Sequence, residues 1–211
     1  MPGCLIIDYG MGNIASVEMA LDYLDVPYSV SSSPDEIAKA AAYILPGVGA
    51  FQAAMENLRS KGLIAPLKHE VMDNKKPFLG ICLGMQLLAE SSTEKGYAKG
   101  LGWIPGKVVE IPSNNSLRVP HVGWNNVSEK GNTILFDKIT SEKNFYFDHS
   151  FRMVCPDEFK IATCENGTKI VAAVRKDNIF ATQFHPEKSQ RNGLKLLRNF
   201  TNYAKSITGA R

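Results

Sequence analysis

Pro77-Phe-Leu-Gly-Ile81 runs without a break into Cys82-Leu-Gly-Met-Gln-Leu-Leu-Ala-Glu90, and this junction decides how the rest of the chain is read. The first part is a short apolar run, as expected of a strand buried on both faces; the second opens a helical pattern. Within it, Gly80-Ile-Cys-Leu-Gly84 has the form glycine-x-nucleophile-x-glycine at a strand-to-helix turn. A sharp turn needs small flanking residues, and it lifts the central side chain clear of the sheet. The helix that follows aims free N–H groups and the positive end of its dipole at the sulfur. A buried cysteine in a core strand fits the same five residues, because cysteine is among the most buried residue types.

Upstream, the strand–helix alternation repeats. Cys4-Leu-Ile-Ile7 is a strand ending at the glycine-rich Asp8-Tyr-Gly-Met-Gly-Asn13, followed by a helix through Val17, Ala20, Leu21 and Leu24. Tyr28-Ser-Val30 is a second strand, and Ser33-Pro-Asp-Glu36 reads as a capping box with proline at the first helical position. Ala42-Tyr-Ile-Leu45 is a third strand, broken at Pro46-Gly-Val-Gly49, with helices through Phe51, Met55 and Leu58 and through Leu67 and Val71. Strands separated by helices predict a parallel sheet. Downstream the runs become β-rich and closely punctuated: Lys107–Ile111, His121–Trp124, Phe145–Phe147, Lys169–Val174 and Ile179–Phe184, with turns such as Pro112-Ser-Asn-Asn115 between them. A closing helix spans roughly Ser189 to Ser206. The expected fold is α/β: a mostly parallel open sheet flanked by helices, flavodoxin-like in its core, with an antiparallel β extension. No linker, repeat or low-complexity stretch divides residues 1–211, so one domain is expected.

Composition sets outer limits. With 211 residues, 44% hydrophobic, 21% charged, 17 Gly and 11 Pro, the chain is ordinary globular material, not collagen, coiled coil or a disordered segment. A net charge of +3 is too small for a nucleic-acid-tracking surface. Met1 to Asp8 carries no basic region before its short apolar run, and no apolar stretch approaches the roughly 20 residues of a membrane span. Four cysteines at 4, 82, 155 and 164, without CxxC spacing, read as reduced thiols of a cytoplasmic protein.

A nucleophile needs a base, and the base an orienter. Gln183-Phe-His-Pro-Glu187 contains both: in an extended segment His185 and Glu187 project to the same side, and Glu187 accepts from one imidazole nitrogen while the other faces the thiol. A surface turn fits His-Pro-Glu as well. Pro46-Gly-Val-Gly-Ala-Phe51 ends another strand of the same sheet, where glycines at 47 and 49 allow backbone N–H groups to join that of Leu83 in facing an oxyanion, unless the segment is simply a loop. Asp8–Asn13 lacks the third glycine of a dinucleotide fingerprint, and no His/Cys/Asp/Glu cluster has metal-ligand spacing, so no cofactor or metal is expected.

Together, Gly80-Ile-Cys-Leu-Gly-Met-Gln86, Phe184-His-Pro-Glu187 and Pro46-Gly-Val-Gly49 resemble the signatures of the class I (triad) glutamine amidotransferases. Asp8–Asn13, Pro120-His-Val-Gly-Trp-Asn125, Tyr146-Phe-Asp-His-Ser-Phe151 and Gln183–Gln190 are similar to the branch formed by glutaminase subunits of imidazole glycerol phosphate synthases. The resemblance implies a Cys82–His185–Glu187 triad that hydrolyses glutamine. It implies that Val48, Gly49, Leu83, Gln86, Ser150 and Phe151 hold the substrate and its oxyanion. It also implies a TIM-barrel cyclase partner that receives the ammonia and contacts Asn13, Trp124, Tyr146 and Lys188. Trp124 on its glycine-flanked strand fits a core position equally. Asp148 stands where the family often has an apolar residue, and Phe151 where it often has Tyr. Amidotransferases serving anthranilate or pyridoxal phosphate synthesis, a free-standing γ-glutamyl hydrolase and a non-catalytic binding module are the competing readings.

Overall fold

The computed structural model describes residues 3–113, 119–131, 133–140 and 142–209; the expected turn at 112–115 and the tail at 210–211 lie partly or wholly outside them. Its elements run β1 (Cys4–Ile7), α1 (Ile14–Tyr23), β2 (Tyr28–Ser31), α2 (Pro34–Lys39), β3 (Ala42–Gly47), α3 (Phe51–Ser60), α4 (Ile64–Lys68), β4 (Phe78–Cys82) and α5 (Leu83–Gln86). There follow β5 (Ser91–Ser92), β6 (Ala98–Lys99), β7 (Lys107–Glu110), β8 (His121–Glu129), β9 (Asn144–His149) and β10 (Phe151–Val154). The chain closes with β11 (Lys160–Glu165), β12 (Lys169–Lys176), β13 (Ile179–Thr182) and α6 (Gln190–Thr208).

Nine strands form one sheet in the order β2-β1-β3-β4-β13-β12-β11-β8-β9. The first five are mutually parallel, in the 2-1-3-4-5 arrangement of flavodoxin-like sheets; from β13 to β9 every pairing is antiparallel. Alternation along β1 explains the layers. Ile6 packs with Val17 and Leu21 of α1 and with Leu197 and Phe200 of α6 on one face. Leu5 and Ile7 meet Phe51, Met55 and Leu58 of α3 and Leu67 of α4 on the other. Both faces are covered, which is why the β1 residues are apolar without interruption.

Several expectations change in detail. β3 does not break at Pro46 but continues to Gly47, pairing Pro46 with Ile81 and Gly47 with Cys82. Its other neighbour, β1, ends its pairing at Ile44, so Pro46 sits on a locally free edge where a missing N–H costs no ladder bond. The capping box is not formed: Ser33 makes no side-chain cap bond, and Glu36 instead pairs with Lys39 at 2.7 Å. The helix through Val71 becomes α4 followed by a π-helical turn over His69–Asp73. Strands β10 and β11 and a second, four-stranded sheet ordered β10-β7-β5-β6 were not anticipated.

The register of the large sheet assembles the site. Thr182 lies opposite Ile81, so the residues leaving β13 emerge beside Cys82. α5 reaches the sheet through glycines: a Cβ on Gly84 would stand 1.9 Å from the Leu45 carbonyl oxygen, and one on Gly80 2.7 Å from that of Gly84. We expect Gly84→Ala to lower stability by about 1–3 kcal/mol through overpacking against backbone, measured by denaturant unfolding. An unchanged midpoint would mean that α5 is free to move off the sheet.

Candidate active site

Cys82 closes β4 and precedes the first helical residue of α5, with φ 53° and ψ −108°. A non-glycine residue in this region carries strain on the order of 1–3 kcal/mol, held by its surroundings. The surroundings here are the glycine contacts at 80 and 84 and one at Gly47, where a Cβ would meet the Tyr9 hydroxyl at 2.3 Å. Leu83 is the first residue of α5, so its N–H has no intrahelical acceptor. The Cys82 thiol faces the Asp148 carbonyl at 3.9 Å and receives Gln183 Nε2 at 3.8 Å. Cys4, Cys155 and Cys164 are also buried, and burial pushes each of these thiols above the usual range.

His185 lies beside Cys82 and is almost wholly buried. Its Nδ1–H donates to Glu187 Oε1 at 2.7 Å, while Nε2 is buried with no protein hydrogen-bond partner. The i,i+2 contact does not come from a fully extended segment. His185 itself is extended, but Pro186–Lys188 is a 3₁₀ turn that folds the Glu187 carboxylate back under the ring. The turn is tied to β9 at Tyr146: the His185 N–H donates to the Tyr146 carbonyl at 2.9 Å, and the Tyr146 N–H donates to Ser189 Oγ at 3.0 Å. Burial works against an imidazolium at 185, but Cys82 and Glu187 beside it prevail and hold its pKa above the usual imidazole range.

A cavity of about 320 Å³ opens over Cys82, and Val48, Gly49, Leu83, Gln86, Ser150 and Phe151 all line it. Gly49 adopts φ +105°, open to glycine alone, whereas Gly47 remains within β3 against Tyr9. Gln86 donates both amide hydrogens inward, to the Phe151 carbonyl at 2.9 Å and to Gln183 Oε1 at 3.1 Å. Glu94 also lines the cavity, its carboxylate accepting from the Phe51 N–H at the start of α3 at 2.8 Å. Sequence reasoning missed Glu94, since nothing local marks a carboxylate that acts 43 residues from its partner. A larger groove of about 780 Å³ beside Trp124 holds Arg191 and Lys195 but no cysteine or histidine.

Trp124 is 47% exposed, which decides against a core position. It meets Tyr146 edge-on at 6.1 Å, and Lys188 Nζ lies 5.6 Å from the centre of the Tyr146 ring. Asn13 precedes α1, the helix that packs against the Pro186–Lys188 turn. Among the described residues no group of three or more His, Cys, Asp or Glu could hold a metal, and no helix is long and apolar enough to cross a membrane.

Two further histidines adjoin the cavity: His149 lines it, and His121 stands behind His149. His149 Nε2 and His121 Nδ1 are 2.9 Å apart, and His149 Nδ1 donates to the Phe151 carbonyl at 2.8 Å. Burial pushes His121 down to about 4. Burial, with His121 and His185 nearby, pushes His149 down to about 3 against the pull of the Phe151 carbonyl. In the unfolded chain both bind a proton near pH 6.5, so below that pH the unfolded state takes up more protons and native stability falls. His185 has the opposite sign: its contribution is complete below about pH 6.5 and is lost as the solution becomes alkaline. We expect unfolding free energy to decline between about pH 6.5 and 4, by up to about 1.4 kcal/mol per pH unit for each buried neutral histidine. His121→Phe should remove one histidine's share of that slope. A wild-type profile flat over this window would contradict the assignment.

The protein-family model described as glutamine amidotransferase class-I matches residues 5–203. The chain is 52% identical over 202 residues to imidazole glycerol phosphate synthase subunit HisH 2 of Vibrio vulnificus (strain YJ016), covering 95% of this chain and 94% of that protein. It is 47% identical over 195 residues to subunit HisH 1 of Campylobacter jejuni (strain RM1221), covering 92% and 97%. Among solved structures, a crystal structure of a glutamine amidotransferase superposes with TM-score 0.75 at 18% identity, over 95% of this chain and 98% of that one. PurLQS from Thermotoga maritima superposes with TM-score 0.68 at 19% identity, over 96% and 98%; at such identities the likeness speaks for the fold alone. A strained cysteine elbow, a buried His–Glu pair beside it and a match along nearly the whole length lead to one conclusion: the chain belongs to the class I glutamine amidotransferases, in the branch that holds the HisH subunits.

Proposed function

We propose that this chain, acting as one amidotransferase domain over residues 1–211, hydrolyses glutamine to glutamate and ammonia as the glutaminase subunit of a cytoplasmic imidazole glycerol phosphate synthase in histidine biosynthesis. The observation that carries the reading is the buried, unpartnered Nε2 of His185 beside the strained Cys82, with Nδ1 already committed to Glu187. With the thiol proton taken up by His185 Nε2, Cys82 Sγ attacks the γ-carboxamide carbon. The same nitrogen delivers that proton to the leaving amine, and the C–N bond breaks to release ammonia. Glu187 stabilises the imidazolium and fixes the ring. Water then cleaves the glutamyl thioester, returning the thiol. The Leu83 N–H and backbone N–H groups at Val48 and Gly49 face the developing oxyanion, each donor worth about 3 to 4 kcal/mol.

Substrate selection follows from the lining. With both hydrogens of its amide already donated, Gln86 offers Oε1 to the substrate ammonium, and the Glu94 carboxylate adds the opposite charge. Backbone groups at Ser150 and Phe151 receive the α-carboxylate. Ammonia passes to a TIM-barrel cyclase subunit seated on the face that carries Asn13, Trp124, Tyr146 and Lys188; an exposed tryptophan and a half-buried tyrosine beside a cation suit such an interface. The chemistry requires no cofactor.

Two experiments test this. In the complex with the cyclase, Cys82→Ala should abolish glutamine-dependent synthesis and leave ammonium-salt-dependent synthesis intact; loss of both would reject two separate sites. Glu94→Gln keeps the acceptor for the Phe51 N–H but removes the charge, so the glutamine KM should rise by about 10- to 100-fold, as for a charged hydrogen bond. An unchanged KM would remove Glu94 from the substrate site.

A further inference from the structure

From the cavity wall back into the protein runs a chain of hydrogen bonds whose direction is forced at both ends by backbone carbonyls. The Phe151 carbonyl can only accept, so the hydrogen of His149 is on Nδ1 and its Nε2 is bare. That bare nitrogen must be the acceptor of the 2.9 Å bond, so His121 carries its hydrogen on Nδ1 as well. His121 Nε2 then accepts from the Asn125 amide at 3.0 Å, and the second hydrogen of that amide goes to the Glu165 carbonyl at 2.8 Å. Every donor points one way, from Asn125 through His121 and His149 to Phe151. The direction requires both imidazoles neutral, the state that burial favours for each.

The far end of this relay is a corner of the chain. β9 ends at His149 in the nine-stranded sheet, Ser150 forms the bend, and β10 begins at Phe151 in the four-stranded sheet. The His149-to-Phe151 bond closes that bend across two residues. The same Phe151 carbonyl receives Gln86, so His149 and Gln86 together occupy both of its lone pairs. Asp148, His149, Ser150 and Phe151 around the bend line the cavity over Cys82. His121 therefore sits one residue removed from the cavity wall, stacked on Phe147 with ring centres 4.5 Å apart, and supports it without reaching the cavity.

We propose that His121, backed by Asn125, is a positioning residue for the glutamine pocket, holding the Ser150–Phe151 corner in its binding geometry through His149. The proposal rests on the glutaminase reading and deepens it. Without the His121 donor, His149 Nε2 is a buried acceptor with no partner, and the ring gains by turning away from Phe151. The corner then loosens where it meets the substrate carboxylate, while His185 keeps Glu187 and Cys82 keeps its contact with Gln183. Substrate binding weakens and the chemical step does not.

The test compares His121→Phe, which keeps an aromatic ring against Phe147 but lacks both nitrogens, with His121→Asn, which restores a donor near the Nδ1 position. Glutamine hydrolysis is measured on the full chain with its cyclase subunit. His121→Phe should raise the glutamine KM by about 10-fold, the scale of one buried acceptor left unpaired, with kcat little changed, and His121→Asn should recover most of the loss. Side-chain ¹⁵N spectra of the wild type should show Nδ1–H, Nε2-bare tautomers at both histidines, and only His149 should respond to His121→Phe. An unchanged KM, a fall confined to kcat or melting temperature, or the opposite tautomer at either ring would overturn the proposal. A wild type that hydrolyses no glutamine would overturn the glutaminase reading instead, and the spectra would still judge the relay.

Discussion

Cys82 occupies a backbone conformation, φ 53° and ψ −108°, that no L-residue adopts unless its neighbours leave it nowhere else to go. Three glycines create that confinement. Gly80 lets the Gly84 carbonyl come close, Gly84 lets α5 lie against the Leu45 carbonyl, and Gly47 makes room for the Tyr9 hydroxyl on the adjoining strand. A side chain at Gly80 or Gly84 would push α5 off the sheet and relax the turn. Apolar layers on both sides keep β3 and β4 from yielding, so the strain stays at one residue whose sulfur faces the cavity.

The second requirement is a base that is dry, oriented and close. β13 meets it by entering the sheet parallel to β4 after an antiparallel hairpin from β12, so that Gln183 and His185 leave the sheet next to Cys82. Burying a His–Glu pair is costly unless its geometry is fixed. Here Ser189 Oγ donates to the His185 carbonyl at 2.6 Å, and the backbone of Tyr146 holds the turn from the other side. The antiparallel extension therefore does more than widen the sheet. Its strand β9 braces the base through the Tyr146 backbone, presents the Tyr146 ring beside Trp124, and ends in the corner that shapes the cavity.

What could be read in advance follows how local each signal is. β1 to β4, the elbow at 80–84 and the His-Pro-Glu segment are each written within a few consecutive residues, and the structure brings Cys82, His185 and Glu187 together. Strands β5 and β6, two residues each, exist only because β7 lies beside β5, so no periodicity announces them. Ser33 and Glu36 match a capping pattern, yet the Ser33 side chain makes no cap bond and Glu36 pairs with Lys39, because a motif states an option that the surrounding fold need not take. Glu94 and the His121–His149 relay depend on partners 43 and 28 residues away, and their meaning appears only once the sheets are folded. Trp124 was ambiguous because alternation along β8 does not say which face is covered; the fold turns it outward with Val122.

On this reading one cysteine, raised by a strained turn, is the group that meets glutamine. The most direct measurement is peptide mass mapping after exposure to a glutamine-like electrophile that alkylates thiolates, with and without excess glutamine. A single adduct is expected on the peptide carrying Cys82, suppressed by glutamine, with the buried Cys4, Cys155 and Cys164 unmodified in the folded protein. Labelling that favours one of those three, or modification of Cys82 that glutamine does not slow, would contradict it.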